Sequence, residues 1–149
     1  MFVNIQGAVK SMRKATFQRT PQWNLGQLIE SLSKIEATDD CWVSFSFCDF
    51  VPGTCHSWRG SYNEIAISYE ALDWDKKPSL KDFLKHLNEC IGVEFTGWKG
   101  GEYIMGHDTP VWVAEPGRSG NTGVVGIHCE NNNEGKAYRV AIRTDYCEF

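Results

Sequence analysis

The firmest constraint on the fold is one short amphipathic segment. Pro78 and Ser79 open it, Asp82 completes an S-x-x-D capping box, and Leu80, Phe83, Leu84, Leu87 and Ile91 form an apolar stripe that Gly92 terminates. Residues 24–36 give a second helix. Asn24 and Gln27 make a capping box there, and Leu25, Leu28, Ile29 and Leu32 fall at i, i+3, i+4 and i+7. The rest of the chain reads as strands. Val43, Phe45 and Phe47 alternate with serines over 41–48, and residues 62–69 alternate through Ile65, Ile67 and Tyr69. Further short strands are expected near 93–96, 102–105, 110–114, 123–129 and 137–144, with a hairpin signal at Asn131–Gly135. Residues 49–60, with Pro52, Gly53 and Gly60, are expected to be a loop. Two helical stripes facing an antiparallel or mixed sheet of about five to seven strands predict an α+β domain.

With 149 residues and 42% hydrophobic side chains, the chain matches one such domain and needs neither disulfide nor metal to hold a core. Charge divides it into a basic N-terminal arm at 1–20 and a single domain at 21–149. The arm carries Lys10, Arg13, Lys14 and Arg19 and no acid, and the remainder has 11 basic and 19 acidic residues, a net charge of −8. The arm is expected to pack on or beside the acidic body rather than touch nucleic acid or a membrane surface. It has no continuous apolar run of a signal sequence, and nothing approaches a spanning length. The expected setting is therefore soluble, uncleaved and cytoplasmic. The six cysteines, at 41, 48, 55, 90, 129 and 147, include no C-x-x-C pair and are expected to be reduced. His56 beside Cys55, with Cys48 nearby, is the nearest approach to a ligand set, while His86, His107 and His128 are scattered. No metal and no cofactor are expected.

The aromatic content, 13% with six Trp, is high, and it is placed unevenly. Three glycine-rich basic loops stand out: Trp58-Arg59-Gly60-Ser61-Tyr62, Trp98-Lys99-Gly100-Gly101 followed by Tyr103, and Arg118-Ser119-Gly120-Asn121-Thr122-Gly123. Glycine lets a backbone approach an anion, Arg or Lys supplies a charge-assisted contact to phosphate, and Trp or Tyr offers a face for a base. Together they predict a binding site for a nucleotide-type ligand formed by Trp58, Arg59, Gly60, Ser61, Tyr62, Trp98, Lys99, Gly100, Gly101, Tyr103 and Arg118. The structural alternative is that the tryptophans are core, that Arg59 pairs with Glu64 or Glu70, and that the glycines mark tight turns. No loop carries a P-loop or dinucleotide fingerprint. Residues 25–32, 43–45 and 58–61 echo residues 80–87, 93–95 and 98–101 in the same order, which raises an internal helix-strand duplication. Catalytic groupings are weak. Cys55 with His56, or Ser57 with His107 and Asp108, are the candidates, and residues 106–110 read more readily as a turn capped by Asp108 before a Pro-led strand than as a source of an acid or base. No catalytic residue is assigned, and the protein is expected not to be an enzyme.

The segments S-W-R-G-S-Y-N-E-I-A-I at 57–67 and G-W-K-G-G-E-Y-I-M-G-H-D-T-P-V-W-V-A at 97–114 resemble a family of small uncharacterised accessory proteins of tailed bacteriophages. Its pattern is an aromatic-R-G-x-Y-x-[DE]-x-A run, a helix, and an F-x-G-[WY]-K-G-G-x-[YF]-x-M-x-x-x-[TS]-P-V-W-V-A run. The resemblance covers about 24–127 and leaves out the basic arm and the last strand. It carries no catalytic or cofactor assignment, but it implies a setting, an accessory protein acting in the cytoplasm of an infected bacterial cell against host defence. Joined to the loops, it leads to the expectation of a non-enzymatic protein that binds and sequesters a nucleotide-type immune signal, such as a cyclic nucleotide, with the site between protomers of a homo-oligomer or between the halves of one chain. The alternatives are a protein-protein inhibitor that occupies a host defence enzyme or its nucleic-acid groove, and a small nucleotide-modifying enzyme.

Overall fold

The structure is a computed structural model, and it describes residues 21–47, 49–60, 62–114 and 120–148. The basic arm, Ser61 and Arg118 lie outside the described residues. In chain order the elements are α1 (Leu25–Ser33), β1 (Ala37–Phe45), β2 (Phe50–Ser57), a 3-10 turn (Trp58–Gly60), β3 (Ile65–Ala71), α2 (Leu80–Cys90), β4 (Glu94–Thr96), β5 (Glu102–Ile104), β6 (Val111–Val113), β7 (Thr122–Asn131) and β8 (Ala137–Tyr146). The fold is α+β. Six strands form a mixed sheet in the order β1-β8-β7-β6-β3-β2, and β4 and β5 form a separate two-stranded ribbon. The β1·β8 and β6·β3 pairs are parallel, and the other four strand pairs, the ribbon included, are antiparallel. The sheet curls enough for its outer strands β1 and β2 to touch.

Both helix starts follow the local chemistry of the sequence. The Asn24 side chain accepts from the Gln27 N–H at 2.8 Å, and the Gln27 side chain accepts from the Asn24 N–H at 2.9 Å. Ser79 caps α2 by accepting from the Asp82 N–H at 3.0 Å. At its far end Gly92 takes φ of 77°, a left-handed conformation that ends the helix, and its N–H donates to the Met105 carbonyl at 2.7 Å. The two apolar stripes meet over one face of the sheet. Leu25, Leu28, Leu32, Leu80, Phe83 and Leu87 are buried with Val43, Phe45, Ile65, Ile67, Val111, Val113, Val140 and Ile142. Strand alternation sends Ala66, Trp112 and Val125 to the opposite face, where they form a second cluster with Trp58 and Cys147.

One expected loop is a strand. Residues 50–57 pair with β3 despite Pro52 and Gly53, because β2 is an outer strand and the ladder is irregular between Pro52 and Cys55. A proline on an edge or at a bulge breaks no interior ladder bond. The duplicated segments occupy unlike places: Val43–Phe45 lies in the six-stranded sheet, and Glu94–Phe95 lies in the ribbon. The expected Asn131–Gly135 turn is present. Asn132 Oδ1 accepts from the Glu134 and Lys136 N–H groups, and Gly135 has φ of 79°. Among the described residues, no helix is long and apolar enough to cross a membrane.

Candidate functional site

The three glycine-rich loops lie far apart in sequence, and the fold joins them. The 3-10 turn follows β2, residues 97–101 connect β4 to β5, and Gly120 and Asn121 lead into β7. The Lys99 N–H donates to the Gly60 carbonyl at 2.8 Å, tying the second loop to the first. Arg59 Nη2 donates to Asn121 Oδ1 at 2.5 Å and to the Gly120 carbonyl at 3.4 Å, tying the first to the third. Asn121 is itself fixed: its Nδ2 donates to the Cys147 carbonyl at 3.0 Å, and its carbonyl accepts from the Cys147 N–H at 2.8 Å.

The first loop is built on a buried stack. Trp58 is 2% exposed, and Trp112 lies parallel to it at 3.8 Å between ring centroids. The Arg59 guanidinium sits over the Trp58 ring at 4.1 Å. Two groups so close cannot share one face, so both faces of Trp58 are covered and the residue supports the loop rather than offering a surface to a base. Trp112 Nε1 donates to Glu64 Oε1 at 2.5 Å, and Ser57 Oγ donates to the Tyr62 carbonyl at 2.6 Å. The Ser57 hydroxyl is thus bonded within its own loop, and the 106–110 turn is closed by the Thr109 hydroxyl, which accepts from the Gly106 N–H, in place of Asp108. Arg59 has φ of 57° and is the one non-glycine with positive φ among the described residues. A left-handed side-chain-bearing residue costs about 1–2 kcal/mol, which its contacts to Trp58 and the third loop offset.

Trp98 behaves differently. It is 71% exposed, its ring lies against Gly60, and Lys99 Nζ is 5.0 Å from its centroid. Gly60 has φ of 75°, and a Cβ there would enter the Trp98 ring. Tyr103 packs on Gly101, and its hydroxyl donates to the Gly100 carbonyl at 3.3 Å. The predicted residues Arg59, Gly60, Trp98, Lys99, Gly100, Gly101 and Tyr103 are therefore assembled on one face, with Trp58 beneath them and Tyr62 against Trp58 at 5.4 Å.

Two further groupings were not legible in the sequence. A cleft of about 310 Å³ is lined by Trp42, Trp74, Tyr138 and Arg139, with Glu130 and Asp49 at its walls. Trp74 is 68% exposed and meets Trp42 edge-on at 5.7 Å; Lys77 lies over both rings, and Arg139 lies over Trp42 while paired to Glu130 at 2.7 Å. The second grouping is Cys55, His86 and Cys90, with one ligand atom from each lying within 4.8 Å of the others. Strand alternation separates Cys55 from His56: Cys55 is opposite Ile67, a residue of the helix-side core, and His56 is opposite Ala66 on the other face. The Cys55–His56 neighbours are thereby split between two faces, and Cys55 instead meets His86 and Cys90 of α2. His86 Nε2 is buried with no hydrogen-bond partner among the described residues, an arrangement that costs about 1–3 kcal/mol. Hydrogen bonding between the thiols, opposed by burial at Cys90, raises Cys55 well above the ordinary thiol range and lowers Cys90.

No protein-family model, curated protein or solved structure matches this chain.

Proposed function

We propose that the protein is a non-enzymatic binder of a nucleotide-type ligand, using the face where the three loops meet. The observation that carries this reading is the joining of the Arg59 and Lys99 loops by hydrogen bonds across distant segments, with the exposed Trp98 indole packed on Gly60 between them. The body of the chain is net acidic, so two cations on joined loops, Arg59 on the buried Trp58 ring and Lys99 on the exposed Trp98 ring, support a region suited to an anion carrying a planar ring. Trp98 supplies the stacking surface, Lys99 and Arg59 supply the positive charge, and Gly100 and Gly101 allow close approach of backbone. In the phage setting that the sequence resemblance implies, such a protein acts in the infected bacterial cytoplasm by sequestering a nucleotide signal of host defence.

Calorimetry and thermal shift against cyclic dinucleotides, cyclic trinucleotides and ADP-ribose derivatives test this. Binding by one class is expected, weakened about 5- to 150-fold by Trp98→Ala, the equivalent of about 1–3 kcal/mol of base stacking. Failure of every class to bind rejects the reading. Recovery of the ligand chemically altered would replace it with a nucleotide-modifying enzyme.

The cleft at Trp42 and Trp74 favours a second reading, an inhibitor that occupies a host defence enzyme through protein contacts. The exposed Trp74 and the half-buried Trp42, flanked by Lys77 and Arg139, have the composition of an interface hot spot. A single stoichiometric host partner whose capture is lost in Trp74→Ala and retained in Trp98→Ala supports that reading.

A further inference from the structure

We propose that Cys55, His86 and Cys90 form a binding site for a zinc-class ion that staples strand β2 to helix α2. The geometry starts from the helix. His86 and Cys90 are four residues apart in α2, so they project from the same side, and that side faces β2, where Cys55 points inward. All three donors lie within 4.8 Å of one another. In a tetrahedral zinc site with Zn–S of about 2.3 Å and Zn–N of about 2.0–2.1 Å, donors are separated by about 3.6–3.8 Å. A contraction of about 1 Å, within the reach of side-chain rotation, converts the present grouping into that triangle.

The donor set selects the ion. Two thiolates and an imidazole suit zinc and other borderline or soft ions, and they exclude magnesium and calcium, which take oxygen ligands. Both cysteines are free thiols. The second observation is His86 Nε2, buried without a hydrogen-bond partner among the described residues; a metal bond would satisfy it. With three protein ligands, the fourth position goes to water or to a donor brought by a partner. Binding exchanges one Zn²⁺ for two thiol protons, which pass to solvent while the imidazole binds in its neutral form.

The site's place in the chain gives it a structural consequence. Cys55 lies three residues before Trp58, and Cys90 lies four residues before β4, which leads to Trp98. An ion there would hold together the roots of the first two glycine-rich loops. The metal site does not depend on the ligand proposed for that face.

The test uses the full chain, purified under reducing conditions and freed of metal with a chelator. Elemental analysis after dialysis against zinc should find one ion per chain. Cobalt(II) should give the visible bands of a tetrahedral ion together with a thiolate-to-cobalt charge-transfer band. Cys90→Ser and His86→Gln should each weaken zinc binding about 100-fold or more, while Cys41→Ser and Cys129→Ser leave it unchanged. Near-ultraviolet circular dichroism establishes that the metal-free variants are folded, and the wild-type cobalt spectrum decides the matter where they are not. No zinc uptake at micromolar metal, an octahedral cobalt spectrum without thiolate charge transfer, unchanged affinity in folded variants, or a Cys55–Cys90 disulfide in the reduced preparation each overturns the proposal.

Discussion

Replacing Gly60 by alanine probes the joint on which the loop face depends. Gly60 has φ of 75°, where a side-chain-bearing residue is strained by about 1–2 kcal/mol. A Cβ at this position would also enter the Trp98 ring, and the Gly60 carbonyl is the acceptor for the Lys99 N–H. Trp98 is 71% exposed and can swing away, so its displacement adds little to the loss of stability but moves the stacking surface. The net expectation is a destabilisation of about 1–2 kcal/mol, read as a lower urea midpoint with an unchanged slope. For a domain of this size that corresponds to a melting temperature lower by about 2–8 °C. The double variant Gly60→Ala with Trp98→Ala separates the two effects, because backbone strain persists while the ring clash is removed. Steady-state fluorescence of the single variant should shift to the red as the indole leaves the Gly60 surface. A Gly60→Ala protein with wild-type urea midpoint and unshifted emission would refute the assignment of this glycine as the hinge between the loops.

Other expectations follow from buried groups. Trp112→Phe removes the indole donor to Glu64 and thins the stack on Trp58, so it should cost about 2–3 kcal/mol in urea unfolding; a loss under 0.5 kcal/mol would contradict the stack's role. Burial, followed by the nearby Cys129 and Asp40, raises the Cys41 thiol from 9.0 to about 11. Its contribution to stability is therefore complete below pH 9 and lost as pH rises towards 11, and Cys41→Ala should flatten the alkaline limb of a stability profile. Burial lowers His56 below its ordinary 6.5, so the unfolded chain takes up a proton first. Stability should be full above pH 6.5 and fall as pH drops through the lowered value, and the fall should be smaller in His56→Gln.

The parts of the fold legible in the sequence are those set by local chemistry. The Asn24–Gln27 box, the Ser79 cap and the Gly92 stop are interactions between residues three or four apart, or a property of one residue's φ, and each lies where its pattern predicted. Residues 50–57 have the sequence of a loop because Pro52 and Gly53 are tolerated in a strand only at a sheet edge, a position set by the strand order and not by local pattern. The same blind spot concealed the cysteine grouping. With β2 read as a loop there was no alternation to turn Cys55 away from His56, and no local pattern links residue 55 to residues 86 and 90. The glycine-rich loops were legible as motifs, but the burial of Trp58 against Trp112 was not, because stacking across the sheet's second face is a long-range event. The Trp42–Trp74 cleft eluded the sequence for the same reason, since its aromatic residues come from β1, β2, the segment after β3, and β8.

Whether the joined loops hold a nucleotide-type ligand is tested most directly by mass spectrometry of small molecules released by heating the protein purified from bacteria, with Arg59→Ala and Lys99→Ala prepared in parallel. A nucleotide released from the wild type and lost in both variants is expected. A wild-type preparation that releases no nucleotide and binds none of the panel, or a nucleotide retained equally by folded Arg59→Ala and Lys99→Ala proteins, would contradict it.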